Sequence, residues 1–433
     1  MKIDILITDC AILSHPGEEA LVSPGFIAIS GATIVGIGPM AECPAADMGT
    51  RVDGRGQLAL SGLVNGHCHA PMTLFRGMAD DLPLMTWLNE HIFPAEARRV
   101  NPEMVYRCAQ LAAAEMLLGG ITTVADGYFF EEAVARACAE TGIRCVAAQA
   151  VIDFPAPGVE DPSQNIEAAR RFLDQWQGRH PLVTPAVFAH SPYTCSNDTL
   201  IRAKELTRKH RAPLFIHVAE TRDEIRQIAR PLAATPIRHL NALGLLDRDT
   251  VCVHCVWADD EDLDLLAERQ AGVVVCPQSH CKLASGRAPL PAMLERWIRV
   301  GLGTDGAASN NSLDLFREMD LTAKLQKVNP CDPVAVPARR ILEMATRGGA
   351  EAIGLGIGHG LLAPGSPADL ILIDLRQPHL QPFYSPNLLV YSGTAADVRT
   401  VIVNGSLVVH NRELQTIDLQ DTMDQVRRLA ARM

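Results

Sequence analysis

Positive charge is in short supply in this sequence: 39 Lys and Arg stand against 50 Asp and Glu, a net charge of -11. Electrostatic binders of nucleic acid or anionic membrane need basic patches to displace counterions, so neither partner is expected. No apolar run reaches about 18 residues, which argues against a transmembrane helix. The opening stretch MKIDILITDCAILSHPGEEA lacks the small-residue cleavage site of a secretory signal and reads as a strand running into polar turn residues. A cytoplasmic protein is expected. Low-complexity tracts and internal repeats are absent as well.

Cysteine is present, with 12 residues, but no disulfide framework is expected in a chain this long. Most cysteines sit inside apolar runs, as Cys145 does in RCVAAQAVI. The one C-x-x-C, Cys252 to Cys255, lies in the strand-like TVCVHCVWA. Its odd offset turns the two thiols to opposite faces, so reduced core cysteines are the reading. At 433 residues, 48% hydrophobic and 21% charged, the chain is globular and long enough for a large domain with a satellite, or for two domains.

Residues 1–58 carry short β-type runs broken by Gly and Pro. The end of the chain, 361–433, repeats that character in ADLILIDL and VRTVIVNGSLVVHNREL, with an Asn404-Gly405 hairpin signal and a final charged helix. The two ends therefore predict one composite β-domain, a small β-sandwich. Between them, 59–360 alternates apolar strands with helical stretches. Candidate strands are LSGLVNGHCH, ITTVADG, RCVAAQAVI, LVTPAVFAH, APLFIHVAE, TVCVHCV, AGVVVCPQS and RVGLGTDG. Eight such units fit an α/β fold, a (β/α)8 TIM-like barrel, whose active sites lie at the C-terminal strand ends. A doubly wound open sheet is the rival, but no G-x-G-x-x-G follows the first strand.

Polar residues gather at those strand ends. The first strand ends in His67 and His69, one residue apart and so on one face. The fourth ends at His190, the fifth carries His217 and Glu220, the sixth His254, and the eighth ends at Asp305. Buried strands seldom carry such groups without partners. Three histidines with one carboxylate match a divalent metal site with an open position for water. Zn2+ is the first choice for this N3O set and Fe2+ the second. A metal makes hydroxide available near neutral pH, and Glu220, three residues beyond the ligand His217, can move a proton beside it. Each residue alone has a plainer reading, a satisfied core histidine or, for Asp305, a cap on the following helix. Together they point to a metal.

Along its length the sequence resembles the amidohydrolase superfamily. Within it, the likeness is to the 5-methylthioadenosine/S-adenosylhomocysteine deaminases. The residues carrying this are GLVNGHCHAPMTLFRGMADDLPLMTWL, HIFPAE, HSPYTCS, HVAET and GTDGAASNNSLDLF. Binuclear relatives carry a carboxylated lysine on the fourth strand; PAVFAHSPY has no lysine, so one metal is implied. The resemblance implies His67, His69, His217 and Asp305 as metal ligands. It implies that Glu220 protonates a purine ring nitrogen, that His254 orients or deprotonates the water with Asp305, and that Asp305 then protonates the departing ammonia. His190 would contact the purine and Glu96 the ribose hydroxyls. Without the resemblance, Glu96 reads as a solvated helix residue.

The implied reaction is hydrolytic deamination of the 6-amino group of an adenine nucleoside, with a homo-oligomeric enzyme expected. In relatives that accept S-adenosylhomocysteine, an arginine near the end of the third strand helps bind the homocysteine carboxylate. Gln149 stands at the matching position, and Ile152 to Gln164 holds no Arg or Lys. A carboxylate without a charged partner is weakly held, so 5'-methylthioadenosine is the expected preference unless Arg76, Arg98 or a neighbouring subunit supplies the charge. Three alternatives remain: an amidohydrolase acting on a free base or dechlorinating an s-triazine, a non-catalytic oligomeric scaffold, and a nucleic-acid deaminase. The last lacks its H-x-E and P-C-x-x-C signature here. FRGMADDLPLMTWLNEHIFP is expected to form a lid.

Overall fold

Runs of consecutive apolar residues become fully buried parallel strands, because strands covered on both faces have no solvent side to mark with polar residues. The computed structural model describes residues 2–17, 20–45, 48–328 and 331–432; Met1, Glu18 and Glu19 of the opening stretch and Met433 of the final helix lie outside them. Eight strands pair in chain order: β1 Leu63–Cys68, β2 Ile121–Tyr128, β3 Arg144–Val151, β4 Val183–Ala189, β5 Leu214–Val218, β6 Thr250–His254, β7 Gly272–Val275 and β8 Arg299–Leu302. All neighbouring pairs are parallel. The two ends of the sheet meet, since Asp305 N–H donates to His67 O at 3.0 Å. Asn65 Nδ2 donates to Thr304 Oγ1 at 2.8 Å, and Thr304 N–H to Asn65 Oδ1 at 2.9 Å. These bonds close the sheet into a barrel filled by Val64, Val146, Phe188, Phe215, Val253 and Val274 among others.

Helices cover the outside. Pro102–Leu118 starts where Asn101 Oδ1 accepts the N–H groups of Glu103 and Met104, with Pro102 at the first helical position. Two expectations need correction. The seventh strand ends at Val275 instead of running to Ser279, because Pro277 has no N–H for the ladder and opens the helix Pro277–Lys282. The stretch PARRILEMATRGGAEAIG forms two helices, Ala338–Met344 and Arg347–Ala352, separated at Thr346 by non-helical dihedrals (φ -132°, ψ -107°).

The chain's two ends join in one nine-stranded mixed sheet. Gln57–Ser61 pairs parallel with Ile3–Leu13 and antiparallel with Leu370–Asp374, so the N-terminal strands and the C-terminal strands join side by side at this one strand. Gly62 is the step between this sheet and β1. The Asn404-Gly405 turn links Val398–Val403 to Ser406–His410, with both residues at positive φ (50° and 75°), as a primed hairpin turn requires. A buried clasp ties the two bodies together: Arg144 at the start of β3 donates to both carboxylate oxygens of Asp369, at 2.8 and 3.1 Å. Asn404 N–H donates to the same carboxylate.

Candidate metal centre and active-site cavity

The C-terminal ends of the strands converge. His67 is the penultimate residue of β1, and His69 lies just past the strand's end. The Nδ1 of His69 lies 2.6 Å from Gly127 O. A carbonyl only accepts, so Nδ1 carries the proton and the Nε2 lone pair faces inward. His217 Nε2 lies 3.1 Å from His67 Nε2. Ligand atoms of these three histidines all lie within 4.8 Å of one another. Asp305 Oδ1 is 3.5 Å from His67 Nε2 and 3.4 Å from His69 Nε2. Burial works against the Asp305 carboxylate, yet the His67 and His69 imidazoles hold it well below the usual range. Its other oxygen, Oδ2, accepts from Ser279 Oγ at 2.7 Å.

Three nitrogen lone pairs and a carboxylate turned on one point are the chemistry of a cation site, and the donor set fits one divalent ion. Around it stand the proton-handling groups. Ala219, at φ +52°, turns the chain just after β5, and the next residue, Glu220, is 8% exposed. Burial drives the Glu220 carboxyl well above the usual range, and the Asp305 and Glu224 carboxylates push it the same way. Its Oε2 is 3.7 Å from His254 Nε2. His190, with Nδ1 2.9 Å from Thr194 Oγ1, is neutral: burial, then the neighbouring His69 and His67, lower it to about 3.

An apolar cavity opens over this cluster, lined by Leu84, Trp87, Leu88, Ile92, Phe93 and Phe188 alongside the polar groups. The expected lid is helical, Leu84–Thr86, Trp87–Ile92 and Phe93–Arg99 in succession, with Trp87, Ile92 and Glu96 buried beneath it. Glu96 is therefore a cavity residue and not a solvated one. Its Oε1 accepts from Tyr128 Oη at 2.6 Å; burial raises its carboxyl to about 7 against that bond. The lid's entry loop is held down by Lys282, which donates to Asp80 Oδ1 at 2.6 Å and Asn311 Oδ1 at 2.9 Å. Lys282→Ala is expected to raise KM about two- to fivefold with little change in kcat, read by steady-state kinetics, as suits a partly exposed ion pair.

Gln149 does not reach the cavity. It lies behind it, accepting Glu131 N–H at 3.3 Å and donating to Ala150 O at 3.2 Å, so its position on β3 turns it to the helix that follows β2. The expected substrate contact by Gln149 is corrected accordingly. Arg76 is committed to Glu115, and Arg98 is exposed outside the cavity. Among the described residues, no Lys or Arg lines the cavity. Sequence reasoning missed Ser279 and His280. Their signal was a serine and a histidine just past the end of the seventh strand, where a strand end had been drawn too late.

A parallel eight-stranded barrel with a histidine and carboxylate cluster at the C-terminal strand ends defines a metal-dependent hydrolase architecture. The Amidohydrolase family pattern matches residues 58–408, and the chain belongs to that family, whose members use a divalent metal. It is 44% identical over 431 residues to the 5-methylthioadenosine/S-adenosylhomocysteine deaminase of Syntrophobacter fumaroxidans, covering 99% of this chain and 98% of the relative. It is 43% identical over 389 residues to the 5'-deoxyadenosine deaminase of Methanothermobacter thermautotrophicus, covering 89% and 90%. Among solved structures, an adenosine deaminase from Xanthomonas campestris with bound zinc superposes with a TM-score of 0.96 at 34% identity, covering 100% of this chain and 98% of that one. Among the described residues, no helix is long and apolar enough to cross a membrane.

Proposed function

We propose that this protein hydrolyses the 6-amino group of an adenine nucleoside, releasing ammonia and the inosine analogue. One observation carries the reading: a buried carboxyl, Glu220, pushed above its usual range, stands beside the histidine–aspartate cluster at the inner end of a cavity whose wall bears the buried Glu96. His67, His69, His217 and Asp305 hold the cation, with zinc the proposed ion. When bound, it supplies Lewis-acid activation of water.

The residues of the chain do the rest. Glu220 gives its proton to the purine ring nitrogen as water adds at C6. His254 orients that water and takes its proton. As the C6–N bond breaks, the proton taken from the water returns by way of Asp305 to the leaving amine, which departs as ammonia, and Glu220 recovers its proton from the C6 hydroxyl as the carbonyl forms. Neutral His190 contacts the purine, Glu96 holds the ribose hydroxyls, and the lid excludes bulk water.

The substrate choice follows from the lining. A 5'-substituent with a free carboxylate finds no cationic side chain among the cavity's described residues, so 5'-methylthioadenosine is the proposed preference. Ammonia release from 5'-methylthioadenosine, S-adenosylhomocysteine and adenine tests this directly. The kcat/KM for methylthioadenosine is expected to exceed that for S-adenosylhomocysteine about 10- to 100-fold, the worth of one charged hydrogen bond. Equal turnover of the two would sink the preference. Glu96→Ala discriminates against the free-base reading: nucleoside turnover is expected to collapse, and retained adenine activity alone would replace the nucleoside with a base.

A further inference from the structure

The short helix Pro277–Lys282 touches two of the centre's proton-handling groups, Asp305 and His254. Ser279, fully buried, donates from Oγ to Asp305 Oδ2. The next residue, His280, is 2% exposed and places its Nε2 3.0 Å from His254 Nδ1. The helix cannot swing away. Gln278 N–H and Nε2 both donate to Glu318, at 3.1 and 3.0 Å, and Lys282 is held by Asp80 and Asn311. His254 itself ends β6 at φ +79°, and its ring stacks on His217 with centroids 4.9 Å apart.

We infer that His280 is a positioning residue that accepts the Nδ1–H of His254, fixing its ring and tautomer so that a bare Nε2 faces the site. Two neutral imidazoles in one hydrogen bond share a single proton, so the pair has two arrangements. With the proton on His280 Nε2, the His254 Nε2 would carry hydrogen and could accept none from water. With it on His254 Nδ1, Nε2 is the acceptor the reaction needs, and His280 carries its own hydrogen on Nδ1. The role parallels the group that orients the base in a catalytic triad, supplied here by a neutral ring. Ser279 does the matching work on Asp305, occupying Oδ2 so that Oδ1 is the oxygen presented to His67 and His69. One six-residue helix thus sets the orientation of two groups from different strands.

This inference rests on the deaminase reading, and the test separates the two. His280→Gln keeps an acceptor at similar reach; His280→Leu keeps volume without one. In metal-loaded protein, the Leu variant is expected to lose about 10- to 100-fold in kcat with KM changed less than about twofold, and the Gln variant to recover most of it. Melting temperature and bound metal are expected to match the parent protein in both. Ring-nitrogen NMR of 15N-histidine protein is expected to show His254 protonated at Nδ1 in the parent and not fixed in the Leu variant. A His254 protonated at Nε2 in the parent, a Leu variant with near-parental kcat, or a Gln variant no better than Leu would each overturn the inference. Failure of the parent to turn over any adenine nucleoside would overturn the deaminase reading instead, while the NMR result still decides the tautomer.

Discussion

Glu220→Gln is expected to lower kcat by about 10²- to 10⁴-fold while leaving KM within a few-fold, the range for removing a positioned general acid. Glutamine is nearly isosteric, so the backbone bond from Glu220 N–H to Glu224 Oε2, 2.8 Å, has no reason to break. The amide can still donate a hydrogen bond to the ring nitrogen, which preserves binding. It cannot surrender a proton, which removes the step. Burial and two nearby carboxylates push the parent's carboxyl towards the acid form, so the substitution changes chemistry more than charge. Steady-state kinetics with unchanged metal content check this. A Gln variant within about threefold of the parent's kcat would assign the proton delivery to another group.

The largest effect on stability is expected at the clasp between barrel and terminal sheet. Arg144 and Asp369 are 7% and 6% exposed and share two hydrogen bonds. Arg144→Ala leaves a buried carboxylate facing only Asn404 N–H and His359, and should cost about 3–5 kcal/mol in urea unfolding. The pH dependence has a definite sign. Burial acts to raise the Asp369 pKa, but His359, Arg144 and Asn404 together depress it to about 2 from 3.8. A depressed carboxylate stabilises the fold above its unfolded pKa. Its contribution, about 2 kcal/mol, is therefore present at neutral pH and lost as pH falls from about 4 to about 2. The gap between parent and Arg144→Ala is expected to narrow over that window. A constant gap down to pH 2 would place the loss in packing and not in the ion pair.

Much of this molecule is legible in the chain because local patterns encode it. Buried parallel strands read as apolar runs: seven of the eight expected strands contain an observed one, and the second stops one residue short of its observed end at Tyr128. His67, His69, His217, His254 and Asp305 stand out because polar groups at the ends of apolar strands are costly without partners. Glu96 was legible only by resemblance: on a seven-residue helix its neighbours look solvent-facing, and burial comes from the lid's path over the barrel.

Other features have no local signature. Gln149 sits at an alignable position, yet the direction of its side chain depends on the Glu131 backbone arriving beside it. His280 meets His254 across 26 residues, and Asn65 closes the barrel with Thr304 across 239. Sequence by itself determined the strand count and the composite terminal sheet, because burial periodicity belongs to single residues, and it pointed to a metal by its histidines and carboxylates; the reaction class was legible through the family resemblance. Tertiary structure alone decided that burial raises the Glu220 carboxyl, that His280 Nε2 lies 3.0 Å from His254 Nδ1, and that no Lys or Arg lines the cavity among the described residues. Those properties depend on distance and desolvation, which exist only once separate strands share one end of a closed barrel.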